Sequence, residues 1–178
     1  ICNALIYAMH EGSDKAKEHA AGALMNLACS ATNREKMGST DEICNALISA
    51  MHEGPDKVKE YAAGALMNLA CSATNKEKMG STDGICNALI YAMHEGSDKA
   101  KEYAAGALMN LASSAPNREK MGSTDGICNA LIDAMYERSD ETKERAAGAL
   151  AYLTCNAANR EKIGSTDGIW TTLIDGMN

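Results

Sequence analysis

Residues 104–112 read Ala104-Ala105-Gly106-Ala107-Leu108-Met109-Asn110-Leu111-Ala112, and the same nine residues stand unchanged at 20–28 and 62–70. A fourth version at 146–154 is altered, with Tyr152 where the others carry Asn. Upstream of each copy, Ile85-Cys86-Asn87-Ala88-Leu89-Ile90 likewise recurs from Ile1, Ile43 and Ile127, and an altered fifth version begins at Ile169-Trp170. The step is a constant 42 residues with no insertion. Such self-similarity is the signature of a solenoid, in which each unit buries its apolar face only against its neighbours. The 178 residues are therefore one array, with no separate globular domains. Its units are 33–74, 75–116 and 117–158, with 1–32 and 159–178 as partial units.

Each unit reads as helical throughout. In 75–116, Thr74 and Glu77 have capping-box spacing, as do Thr32 and Glu35, which predicts a short first helix ended by Gly80 to Gly84. Thr82 and Asp83 are candidate caps for a second helix from Ile85 to about Met93. Its apolar face is Ile85, Ala88, Leu89, Ala92 and Met93. Gly96 is the expected left-handed C-terminal residue of that helix, and Pro55 marks the same boundary one unit earlier. A third helix runs from about Asp98 to Ser114 with the stripe Ala100, Ala104, Ala107, Leu108, Leu111 and Ala112. No stretch alternates with period two over strand length. The reading is an all-α chain of thirteen helical segments.

Composition narrows the function. A net charge of −7 argues against a protein that grips nucleic acid phosphates. No apolar run approaches the roughly 18 residues of a membrane span, and Ile1 opens no signal-peptide pattern. Seven Cys in columns 42 apart do not resemble a disulfide framework, so a reducing, intracellular setting is expected.

Asn75-x3-Met79-x4-Gly84-Ile85-x3-Leu89, followed by the Ala104 to Ala112 motif, resembles the armadillo repeat, and the resemblance spans essentially the whole chain. HEAT and tetratricopeptide repeats normally use two helices per unit and fit the short first helix poorly. The resemblance implies a right-handed α-solenoid of three-helix units whose third helices line a concave groove. It also implies a repeated Asn that holds an extended partner peptide, at positions matching Asn26, Asn68 and Asn110 here. A side-chain amide can both donate to and accept from a peptide unit. Layers about 10 Å apart would let successive Asn grip about every third extended residue. The plain alternative is that each Asn bridges adjacent helices.

Where importin α carries Trp, this chain has Gly22, Gly64, Gly106 and Gly148, closer to the β-catenin style, so a nuclear-import receptor is disfavoured. The groove stripe is completed by His19, Tyr61, Tyr103 and Arg145, with Tyr152 ending the Asn series. Tyr61 and Tyr103 are either contact anchors or covers over a bare Ala/Gly surface. Lys99, Tyr103 and Asn110 become Glu141, Arg145 and Tyr152 in the fourth copy, which would change partner readout there.

Catalytic and metal chemistry have no residues to rest on. Cys2, Cys44, Cys86 and Cys128 read as core, while Cys29, Cys71 and Cys155 border the groove as free thiols. Single Cys one layer apart cannot share a zinc ion or a disulfide. His10, His52 and His94 fall at helix C-termini near the negative dipole end. No cofactor and no enzyme activity are expected. Two function classes remain, a peptide-binding adaptor or a structural spacer in a larger assembly. Because Ile1, Ala4, Leu5, Ile6 and Met9 keep the apolar face of an interior copy, flanking repeats or other subunits are expected to cover the ends.

Overall fold

The computed structural model describes residues 1–165. Twelve helices follow one another in that span, with no strand. The first layer holds α1 (Cys2–Glu11) and α2 (Asp14–Leu27). The second is α3 (Ala31–Gly38), α4 (Asp41–Glu53) and α5 (Asp56–Leu69). The third is α6 (Ala73–Ser81), α7 (Ile85–Glu95) and α8 (Asp98–Ala112). The fourth is α9 (Ala115–Ser123), α10 (Ile127–Ala134) and α11 (Asp140–Leu153), followed by α12 (Ala157–Gly164). The expected thirteenth segment, with Trp170, lies outside the described residues.

Both apolar stripes read from the sequence are buried, Ile85 to Met93 in α7 and Ala100 to Ala112 in α8. Each helix packs against its counterpart in the next layer. The third helices α2, α5, α8 and α11 pack most extensively from layer to layer and form one continuous wall, the inner wall of an array of this kind. In α1 Ala4 is exposed and Leu5 half-buried, whereas Ala88 and Leu89 of α7 are fully covered by the layers on either side.

The helix boundaries correct three local expectations. The first helices begin two residues before the proposed box: α6 starts at Ala73, and Ser72, not Thr74, accepts from the Asn75 amide. Ser30 likewise precedes α3, without a side-chain cap bond. The second helix α7 is not capped by Thr82 or Asp83; its N-cap is Gly84 at φ +84°, a left-handed conformation that costs glycine nothing. Thr82 instead turns its Oγ1 back to the Lys78 carbonyl at 3.2 Å. Where Glu42 replaces this glycine, the left-handed turn is absent and α4 begins at Asp41.

Gly96 is extended, at φ −83° and ψ 164°, and not left-handed. It is needed for space, since a Cβ there would meet the Ala92 carbonyl at 2.4 Å. Arg138 occupies this position in the fourth layer, and α10 accordingly stops at Ala134, giving up its last turn. Pro55 is the N-cap of α5, as expected.

Candidate functional site

The stripe runs in register along the inner wall, on α2, α5, α8 and α11. Asn68 Nδ2 donates to the Met25 carbonyl at 3.2 Å and to Cys29 Sγ at 3.4 Å. Asn110 repeats this one layer on, donating to the Met67 carbonyl at 3.2 Å and Cys71 Sγ at 3.5 Å. Both amides thus bridge third helices, which is the alternative weighed from the sequence. Each is half-buried, and each Oδ1 has no hydrogen-bond partner among the described residues. Only the acceptor remains available, so neither amide is free to donate and accept at once. Asn26, on α2 of the first described layer, is exposed and makes no such bridge among the described residues. Tyr152 occupies the fourth position, 41% exposed.

Tyr61 and Tyr103 are half-buried on the same wall. Each lies on the glycine of the preceding layer, Tyr61 against Gly22 and Tyr103 against Gly64, where a Cβ would come within 3.4 and 3.2 Å of the rings. From the other side, Met25 Sδ fills Gly64 so closely that a Cβ would stand 2.6 Å from it. The glycines thus let the tyrosine rings and methionine side chains lie close on this wall, with the crowding at Gly64 set by the movable end of Met25. Lys57 stands over Tyr61 at 5.9 Å and Lys99 over Tyr103 at 5.2 Å, a favourable cation–ring placement. Hydrogen bonding to Glu60 and Glu102, respectively, raises the pKa of these two ammoniums. His19 is the exposed counterpart in the first layer.

Arg145 takes the place of the tyrosine in the fourth layer and lies along Gly106. Its guanidinium pairs with Glu102 at 2.9 Å and donates to the Glu102 carbonyl at 3.1 Å. Glu102 is buried at 7% exposure and also pairs with Lys99 at 2.7 Å. The altered fourth copy therefore completes a three-charge network on Glu102, whereas Glu60 one layer earlier pairs with Lys57 alone.

Two further columns escaped the sequence reading. Asn75, Asn117 and Asn159 are buried, each donating to two carbonyls of the preceding layer, one on its first helix and one at the end of its third. Asn117 Nδ2 reaches the Lys76 carbonyl at 2.9 Å and the Leu111 carbonyl at 3.1 Å. Asn75 was visible in the repeat motif, but its partner stands 41 residues back, on the Arg34 carbonyl at 2.8 Å. The second column is cationic. Arg34 donates to the Cys29 carbonyl at 3.3 Å, Arg118 to those of Ala112 and Ser113 at 2.9 and 3.0 Å, and Arg160 to that of Thr154 at 3.2 Å. Lys76 Nζ reaches Ser113 Oγ, at the end of α8 in its own layer, at 2.6 Å. This column borders the C-terminal end of the stripe, and constant Arg or Lys after each Asn was the signal for it.

Cys29, Cys71 and Cys155 are exposed along the same border. Burial pushes the Cys44 thiol up to about 11 and also raises Cys86 and Cys128. His10, His52 and His94 lie in the last turns of α1, α4 and α7. Among the described residues no three His, Cys, Asp or Glu side chains gather as metal ligands, and no helix is long and apolar enough to cross a membrane.

Neither a family model nor a curated protein matches the sequence. Solved structures do. A computationally designed armadillo repeat protein for modular peptide recognition superposes with a TM-score of 0.84 at 17% identity, covering 96% of this chain and 72% of that one. A designed armadillo repeat protein in complex with the peptide (KR)4 gives 0.74 at 16% identity, over 97% and 79% of the two chains. An engineered protein gives 0.83 at 18% identity, over 99% of this chain and 46% of that one. The chain has an armadillo-like repeat fold, an all-helical solenoid.

Proposed function

We propose that the inner wall of stacked third helices docks an extended segment of another protein, and that the molecule works as a non-enzymatic adaptor in a reducing compartment. The observation that carries this is the pair of Asn68 and Asn110. Each amide is anchored through Nδ2 and leaves Oδ1 in register on the inner wall, a row of acceptors suited to the N–H groups of an extended backbone. The designed proteins of the same fold, one made for peptide recognition and one holding a peptide, support the reading. Exposed thiols one layer apart fit a compartment where they stay reduced.

The experiment replaces Asn68 and Asn110 together by Ala. Two half-buried bridges are lost, which costs about 1–3 kcal/mol of stability, while affinity for a groove peptide drops at least tenfold. A folded double variant that binds a captured partner as tightly as the parent would remove the amides from the site. A second reading has its own observation. The Nδ2 bridges couple layers without any ligand, as a rigid spacer in a multiprotein assembly would require. That reading expects partners to contact the outer helices, and crosslinks confined to α4, α7 and α10 would favour it.

A further inference from the structure

The protein carries a net charge of −7, yet the inner wall is bordered by positive charge. Arg34, Lys76, Arg118 and Arg160 form a column in register, and none of them pairs with a carboxylate among the described residues. The three arginines donate to carbonyls at the C-terminal ends of α2, α8 and α11. A helix C-terminus offers only about half a negative charge. These carbonyls therefore do not fully neutralise the guanidinium charge beside the stripe. Lys76 has only the Ser113 hydroxyl and keeps its whole charge.

The column lies where a ligand would pass. Cys71 is three residues beyond Asn68, about 4.5 Å along the helix axis, and the cations sit at that end. The stripe from Tyr61 through Gly64 and Asn68 to Cys71 is uncharged. The carboxylates beneath its far edge, Glu60 and Glu102, are largely buried and already paired with Lys57 and Lys99. The amide ladder stops at Tyr152, but Arg160 carries the charge through the fourth layer.

We propose that the segment docked on this wall is acidic, an extended stretch rich in Asp and Glu whose carboxylates meet the column of Arg34, Lys76, Arg118 and Arg160. The proposal rests on the groove reading above. Charge complementarity selects the occupant and speeds its encounter. A basic segment such as the (KR)4 peptide bound by one of the similar structures would meet like charge here.

Fluorescein-labelled (DE)4, (NQ)4 and (KR)4 peptides, titrated against the 178-residue chain by anisotropy, test it. We expect (DE)4 to bind at least tenfold tighter than (NQ)4, with (KR)4 weakest. Raising salt from about 0.05 to 0.5 M, which shortens the screening length severalfold, should weaken (DE)4 at least tenfold and leave (NQ)4 unchanged. Lys76→Gln with Arg160→Gln should reduce (DE)4 binding tenfold, and Arg160→Lys should retain it within about twofold, since a Lys keeps the charge. If the double variant unfolds, the peptide and salt series on the unaltered chain still decide. Equal affinities for all three peptides overturn the acidic assignment and leave the groove reading standing. Binding of none of them overturns both. An oligothymidylate bound as tightly as (DE)4 shows a general polyanion surface and also overturns the proposal.

Discussion

A Cβ placed on Gly80 would stand 1.9 Å from Asn117 Oδ1, and the three heavy atoms nearest it all belong to that amide. Gly80→Ala should therefore cost about 2–3 kcal/mol in the native background, because the buried amide must shift off its two carbonyls. Asn117→Ala alone removes both bonds, at about 1–3 kcal/mol, while the Leu111 carbonyl keeps the Ser114 N–H. The informative variant is the double one. With the amide gone the new methyl has room, and Ala is a better helix residue than Gly by up to about 1 kcal/mol. Gly80→Ala should then be neutral or stabilising, a coupling energy of about 2–4 kcal/mol between residues 37 positions apart in sequence. Urea denaturation of the four proteins reads this as shifts in midpoint at unchanged slope. Equal cost of Gly80→Ala in both backgrounds would refute the cradle.

Three other outcomes follow from the same geometry. A disulfide reagent at about pH 8 should modify Cys29, Cys71 and Cys155 first. Cys44 should react only on unfolding or toward its raised pKa of about 11, because a higher pKa leaves less thiolate at a given pH. Rapid Cys44 labelling in the folded protein would contradict its burial. Arg145→Ala leaves buried Glu102 with Lys99 alone and should lower stability by about 1–3 kcal/mol. An unchanged denaturation midpoint would show that Arg145 is idle in folding. Amides of α1 should exchange at least about tenfold faster than those of α7, since α1 is covered on one side only. Equal protection would show that the first layer is held as firmly as the interior.

The repeat period was enough to read the solenoid. A constant 42-residue step leaves each unit only its neighbours to pack against, and the 3.6-residue stripes of α7 and α8 say which faces meet. Pro55 and the histidines at helix ends are local signals of the same kind. Cap residues were misplaced by two positions because several Ser, Thr and Asp residues compete for each boundary. Only the backbone path decides which of them is extended.

What the chain determined by itself is therefore periodic and local: three helices per unit, their apolar faces, and a stripe of Asn, Tyr and Gly in register. The role of each stripe residue was decided between layers. Asn68 bridges to Met25, Tyr61 lies on Gly22, and Arg145 closes a network on Glu102, all across about one repeat of sequence. The buried Asn column and its opposing glycines are likewise pairs 37 residues apart. Repetition makes such partners hard to read from one dimension, because every copy offers the same residue and only stacking selects the layer before or the layer after. Stacking also turned a net acidic chain into one whose inner wall is bordered by cations, since it gathers one Arg or Lys per unit onto the same edge.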